Sequence, residues 1–260
     1  MAHAEDGPLS GGTANRGRVI RVGDTVHRPR GAHTAAVHDL LRHLDAAGFG
    51  RAPRVVGLDA KREILDYIPG TAGTDPPADW ALTEAVLVSV GELLRDYHAH
   101  VSGFDARGRR WQRRLPVRWR GPIVTHNDLN PANVIFREGR AVALIDFDLA
   151  SPGTAAFDLA VTACFWAPLR DAADIQDGRR GHVLDRFRLL LEAYGADGPM
   201  REAVAQACPA ANRWIADVIE DNARRGHPAF GRLWQKAGGI HRRASNWLST
   251  HTDELFAASR

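Results

Sequence analysis

The residues best equipped for chemistry crowd into two short segments, His126-Asn-Asp-Leu-Asn-Pro-Ala-Asn133 and Leu144-Ile-Asp-Phe-Asp148. Asp128 and Asn133 fall in one loop, five residues apart. Asp146 stands at the end of a strand that pairs back onto that loop through a hairpin. One carboxylate and one amide oxygen are thereby brought toward a second carboxylate. Oxygen donors of this kind suit a hard cation such as Mg²⁺, which keeps several waters and takes phosphate oxygens as further ligands. Asp128 is left free to accept a proton from a hydroxyl. A lone Asp in a loop is ordinarily a turn former or a helix cap. Two spaced segments joined by a hairpin carry more than that, because both elements of the pattern recur together.

The elements that must hold these residues can be read from periodicity. Residues 1–17 are Gly-rich and polar, after which Arg18–Val22 and Thr25–Arg28 read as two strands around Gly23-Asp24. Val37, Leu40, Leu41 and Leu44 lie at helical spacing, and Gly48 and Gly50 end that helix. Val55-Val56 and Glu63–Ile68 read as further strands. Pro69-Gly-Thr-Ala-Gly-Thr-Asp-Pro-Pro77 is a turn-rich connector and the best domain boundary. Beyond it, Val86, Val90, Leu93, Leu94, Tyr97 and Val101 form one long apolar stripe. A short strand, Ile123–Thr125, precedes the first chemical segment. Asn133–Phe136 and Ala141–Ile145 flank Arg137-Glu-Gly-Arg140, which reads as a four-residue hairpin loop. From about residue 155 the pattern is helical, with breaks expected near Gly195–Pro199, Pro209 and Gly226–Pro228. A small strand-rich part thus precedes a larger helical part, and ligands favour the cleft between such parts.

Composition narrows the class. The chain has 260 residues, 44% hydrophobic and 25% charged, which is ordinary globular usage. It is long enough to bury a core without staples and excludes collagen, coiled coil and bulk disorder. No apolar run approaches the ~18 residues of a membrane span. The first residues lack the basic and apolar regions of a signal peptide. Two cysteines, Cys164 and Cys208, stand far apart, which fits a reduced, cytoplasmic protein. Lys61 and Lys236 are the only lysines, a bias expected of a high-GC genome. The net charge of +3 is too small to argue for a nucleic-acid binder. Arg107–Arg120 holds seven arginines with Trp111 and Trp119 between them. Such a run could bind nucleic acid, but it more often forms a solvated loop, and we read it so. Its charge near a cleft would repel a polycation. His98 and His100, two apart on a helix, cannot share a face, so packing or capping is the expected role.

The pattern His-x-Asp-x-x-x-x-Asn followed by Ile-Asp-Phe resembles the catalytic core of the kinase-like phosphotransferases. His126 is not followed by the Arg of protein kinases, and Asp148 stands where they carry Gly. In both respects the chain resembles the aminoglycoside phosphotransferase (APH) family instead, from about Leu9 to about Leu159 and more faintly beyond. The resemblance implies an α+β, protein-kinase-like bilobal fold: a small β-rich nucleotide-binding lobe over residues 1–68, a hinge or connector over 69–77, and a larger helical lobe over 78–260. It implies that Asp128 orients and deprotonates the acceptor hydroxyl. Asn133 and Asp146 would hold the metal, with Asp148 adding a contact through water. His126 would brace the loop, and Asp158 would tie it down through backbone hydrogen bonds. Ser10, Gly11 and Gly12 resemble part of the phosphate-covering turn. Arg28 occupies the place of the phosphate-binding Lys, and the backbone of Asp66 to Ile68 would meet the adenine edge. One departure stands out. The helix Glu that pairs with that basic residue is here Val37, and Asp39, about 200° round the helix, faces the other way. The ion pair is therefore expected to be absent or replaced.

The activity so implied moves the γ-phosphoryl group of ATP, or of GTP, with Mg²⁺, to a hydroxyl on a small molecule. That acceptor would be an antibiotic, giving resistance or self-protection, or a metabolite such as a sugar or an amino alcohol. Asp171, Asp174, Asp177, Asp185, Glu192, Asp217, Glu220 and Asp221 in the helical tail would suit an amine-bearing acceptor. No membrane or nucleic-acid partner is expected. The rival from another class is a nucleotide-binding pseudokinase scaffold, which the missing helix Glu favours.

Overall fold

The computed structural model describes residues 6–9, 15, 17–74 and 76–260. Ser10, Gly11 and Gly12 lie outside them. The N-terminal part is a five-stranded antiparallel sheet of β1 (Gly7–Pro8), β2 (Ile20–Val22), β3 (Thr25–Pro29), β4 (Val55–Leu58) and β5 (Arg62–Asp66), in the order β1-β2-β3-β5-β4. Helix α1 (Thr34–Ala46) buries the stripe Val37, Leu40, Leu41 and Leu44. Gly48, at φ +84°, turns the chain away after it. The strand expected over Glu63–Ile68 ends at Asp66, one bond beyond which the Tyr67 amide still donates in register to Asp24 O at 2.8 Å.

The connector is built into the structure. Its strand β6 (Thr71–Ala72) pairs with β8 (Val134–Arg137), and β8 pairs with β9 (Arg140–Leu144). A Cβ on Gly73 would collide with the carbonyl of Pro131, so only glycine lets the connector pass this close to the loop that carries Asp128. The hairpin is tighter than the expected four-residue loop. Arg137 and Arg140 pair with each other, leaving a two-residue Glu138-Gly139 turn. Both φ angles are positive, +49° and +72°, which is the turn that matches the twist of a hairpin. A separate pair, β7 (Ile123–Thr125) with β10 (Ser151–Gly153), brings the chain before His126 against the chain after Asp148.

The helical part comprises α2 (Glu84–His100), α3 (Ala155–Trp166), α4 (Val183–Tyr194), α5 (Gly198–Arg224), α6 (Pro228–Thr250) and α7 (Thr252–Ala258). Thr83 caps α2 by accepting from the Val86 amide. The stripe Val86, Val90, Leu93, Leu94, Tyr97 and Val101 is fully buried, at about 1.5–3 kcal/mol for each large aliphatic side chain. The break expected at Pro209 does not occur: α5 runs through it. The proline is exposed, while Val204, Ala205, Cys208, Ala211, Ile215 and Ile219 bury a continuous stripe. Packing outweighs the local penalty of about 3 kcal/mol. Among the described residues no helix is long and apolar enough to cross a membrane.

Candidate functional site

Asp158 organises the loop from below. It sits fully buried in the first turn of α3, whose N-terminus Thr154 caps by accepting from the Phe157 amide. Its Oδ2 accepts from the His126 amide at 2.8 Å, and its Oδ1 accepts from the Asn127 amide at 2.8 Å. The His98 ring adds a contact at 3.0 Å, and its other nitrogen meets the Tyr194 hydroxyl at 2.8 Å. Burial pushes the Asp158 carboxyl up, but His98, His126 and the Asn127 amide outweigh it and hold the group below its ordinary range. His98 is thus a packing residue, as its position implied.

His126 braces the loop. Its Nε2 lies 3.1 Å from the Ile145 carbonyl, and the Asp128 amide donates to its Nδ1 at 3.3 Å. That pairing assigns the proton to Nε2. Burial keeps the ring neutral by lowering its pKa. Asn127 takes φ +62°, a left-handed conformation that Asn tolerates. Its side chain closes the turn by donating to Thr125 O and Leu149 O at 3.1 Å. Trp166 Nε1 donates to Leu129 O at 2.7 Å, fixing the loop to the end of α3.

Asp128 is thereby presented at the cleft with two amides on its carboxylate. Asn130 Nδ2 donates to Oδ1 at 2.9 Å, and Asn133 Nδ2 donates to Oδ2 at 2.9 Å. Burial, with the negative charges of Asp146 and Asp148 and against the pull of the two amides, pushes the Asp128 carboxyl up to about 8. Asn130 was not singled out from the sequence. Its signal was the Asp-x-Asn spacing inside the motif.

The second segment supplies the other carboxylates. Asp146 takes φ +61°, a strained conformation for Asp that recurs at functional sites. Phe147 turns into the core against His126, with ring centroids 4.7 Å apart. Arg28 on β3 joins the two carboxylates: NH1 lies 3.1 Å from Asp146 Oδ1, and NH2 contacts Asp148 Oδ1. His33 Nε2 lies 3.1 Å from the same Asp148 oxygen. Burial and the neighbouring Asp148 raise the pKa of Asp146. Asp148 is held down by Arg28 and His33 against the same burial.

The partner of Arg28 is neither Val37 nor Asp39. Val37 is core, and Asp39 pairs with Arg109 at 3.2 Å. The third carboxylate comes from the neighbouring strand. Glu63 stands directly across from Arg28 in the β3–β5 register, with Oε1 2.9 Å from Arg28 Nε. Its other oxygen lies 2.7 Å from His38 Nε2 on α1. All three side chains are buried. Helix α1 therefore contributes a histidine where the family resemblance led us to look for a glutamate, and the negative charge moves to β5. Burial alone would weaken the guanidinium, but Asp148, Asp146 and Glu63 raise its pKa well above the ordinary value.

Among the described residues no three His, Cys, Asp or Glu side chains form a ready-made metal cage. The donors nonetheless fit Mg²⁺, which binds through one or two carboxylates plus waters and phosphate oxygens. Asn133 turns its Nδ2 toward Asp128, leaving Oδ1 as an oxygen donor in the cavity that Asp146 and Asp148 also line. Of the proposed nucleotide contacts, Asp66 is engaged within the sheet: its amide donates to Arg54 O, and its carboxylate accepts from Arg54 Nε at 2.9 Å. Ile68 lies just beyond the strand, half-buried.

A cavity of about 480 Å³ opens from Asp128, Asn133, Asp146 and Asp148. It passes the connector at Thr74, Pro76 and Pro77 and runs between α5 and α6, along Trp214, Val218, Phe230 and Ile240. Of the Arg107–Arg120 run only Gln112 lines it. The arginines pair elsewhere, as Arg107 with Asp105 and Arg113 with Asp221. Of the acidic tail residues, Asp174 and Asp177 line the cavity, and both are already paired, with Arg243 and Arg179.

Comparison with known proteins agrees with this geometry. Residues 100–190 match the family described as "Phosphotransferase enzyme family" (APH). The trifolitoxin immunity protein of Rhizobium leguminosarum bv. trifolii is 29% identical over 96% of this chain and 97% of its own. A homoserine kinase of Beijerinckia indica is 31% identical over 63% of this chain, and the match spans about half of that longer protein, 46%. Among solved structures, the GDP complex of an aminoglycoside 2′-phosphotransferase-IIIa variant superposes with a TM-score of 0.60 at 15% identity, over 100% of this chain and 95% of that one. The fold is that of the protein-kinase-like phosphotransferases. The matched segment holds the whole cluster from Asp128 to Asp148, and over it the chain is similar to the phosphotransferase enzyme (APH) family.

Proposed function

We propose that this protein transfers the γ-phosphoryl group of a magnesium-bound nucleoside triphosphate, ATP or GTP, to a hydroxyl of a small molecule. The observation that carries the reading is the meeting of Asp128, Asn133, Asp146 and Asp148 on one cavity, with Arg28 bridging Asp146 and Asp148. Asp128 accepts the hydroxyl proton of the acceptor as its oxygen bonds to the γ-phosphorus. The bond from that phosphorus to the β–γ bridging oxygen breaks, and the nucleoside diphosphate leaves. The amides of Asn130 and Asn133 fix the carboxylate for that contact. Asn133 and Asp146 would hold Mg²⁺, with Asp148 reaching it through water; the ion when bound neutralises charge on the phosphates. Arg28 adds a planar, permanently charged fork toward phosphate oxygens. Ser10, Gly11 and Gly12 would cover the phosphates, and, with the Asp66 and Tyr67 amides engaged in the sheet, the backbone at Ile68 would meet the base. Residues 1–68 then serve as the nucleotide lobe, 69–77 as the connector and 78–260 as the acceptor lobe.

A GDP-bound neighbour supports nucleotide use. An immunity protein and a homoserine kinase among the relatives support an acceptor that is either an antibiotic or a metabolite. We locate the reaction in the cytoplasm, where nucleoside triphosphates are supplied. The pseudokinase reading rested on a missing partner for Arg28, and Glu63 supplies one. The test is a phosphate-transfer screen over hydroxyl-bearing antibiotics and metabolites with Mg²⁺ and each nucleotide. Transfer to at least one acceptor is expected. Nucleotide binding without transfer to any would favour the scaffold.

A further inference from the structure

The acceptor end of the cavity is cationic and apolar, not acidic. Its two carboxylates, Asp174 and Asp177, are consumed by Arg243 and Arg179. Arg170 and Lys236 line the same cavity, and among the described residues neither forms a hydrogen bond or an ion pair. Arg170 Nε is buried with no acceptor. Trp214, only 4% exposed and also part of the wall, likewise has a buried Nε1–H with no acceptor. A buried donor left unmade costs about 1–3 kcal/mol, so two on one wall point to a ligand that brings acceptors. In this part of the wall two carboxylates stand against Arg170, Arg179 and Lys236, with Arg243 from outside it paired to Asp174, an excess that repels a polyamine. Burial, then the nearby charge of Arg179, lower the pKa of Arg170 against the opposing pull of Asp177 and Asp174. The remaining wall is aliphatic and aromatic.

We propose that the acceptor is a carboxylate-bearing hydroxyl compound with an apolar body, its carboxylate on Arg170 and Lys236 and its hydroxyl at Asp128. This rests on the phosphotransferase reading, which makes the cavity the acceptor's. One guanidinium and one ammonium match a single carboxylate, and an arginine fork takes it in two parallel hydrogen bonds.

Three matched probes test the assignment: N-hexanoyl-serine, its neutral serinamide, and the cationic 2-(hexylamino)ethanol. Calorimetry on the full chain without nucleotide reads pocket preference, and transfer assays with Mg²⁺ and ATP or GTP read the reaction. The expected result is at least tenfold tighter binding of the carboxylate than of either other probe, with R170Q and K236Q each reducing that preference. Equal binding of the three, tighter binding of the cation, or a preference untouched in both variants overturns the proposal. Preference for the carboxylate without transfer to any hydroxyl upholds the pocket assignment and overturns the phosphotransferase reading instead.

Discussion

Arg28 touches three carboxylates, and each does something different for it. Asp146 and Asp148 are the groups whose charge it balances, while Glu63, held in turn by His38, fixes the direction of its fork. Removing one member of a buried ionic cluster leaves the others uncompensated, at about 3–5 kcal/mol. Glu63→Gln should therefore lower the urea midpoint by a stability loss of that order, whereas Asp39→Asn, whose side chain is half-exposed, should change it by less than about 1 kcal/mol. Equal effects in urea titrations would show that Glu63 is not the partner. Arg28→Lys keeps the charge but cannot span two carboxylates, and phosphate transfer should fall about 10-fold to 100-fold. The Arg28–Glu63 pairing was hidden in the sequence because it is made across strands. It became visible only when the β3–β5 register set residue 28 opposite residue 63. Asp128 and Asn133 were legible because their contact is local, five residues apart, and one hairpin brings Asp146 to the same cavity.

At the scale of elements, the loop is held by α3 and the connector rather than by its own sequence. Asp158→Asn keeps the shape of the side chain but removes the charge that the His126 and Asn127 amides and His98 share. A loss of about 2–4 kcal/mol is expected from weakened charge-assisted bonds, measured by thermal unfolding. The same group gives a pH dependence. Its folded pKa lies below the unfolded value, so its contribution is full above about pH 4 and is lost as the pH falls through the folded value. His241 acts earlier. Burial, then the charge of Arg170, lower its pKa to about 4. The unfolded chain takes up that proton near pH 6.5, so stability should decline from about pH 6.5 toward pH 4. Unfolding midpoints flat between pH 6.5 and 4 would contradict the His241 assignment, and midpoints that do not fall further below pH 4 would contradict the Asp158 assignment. The helices and the hairpin were readable from apolar spacing and Gly positions. Two boundaries were not. Arg137 and Arg140 joined the ladder because Glu138 accepts a positive φ beside Gly139. Pro209 stayed inside α5 because it faces water while its neighbours are packed.

For the whole molecule, two lobes meet at a short connector that is itself a strand of the lower sheet. The upper lobe contributes Arg28 and the lower lobe Asp128, Asn133, Asp146 and Asp148, so a nucleotide bound between them would tie the lobes together. Mg-nucleotide at about 100 times its Kd should then stabilise the protein by about 2.7 kcal/mol, seen as a rise in the melting midpoint. The most direct test of the account sets the wild type beside Asp128→Ala in a phosphate-transfer assay with Mg²⁺ and both nucleotides, with nucleotide affinity measured on the same samples. Transfer should fall by about 10²-fold to 10⁴-fold in the variant while nucleotide affinity stays within a few-fold. A variant that transfers phosphate as fast as the wild type would contradict the account.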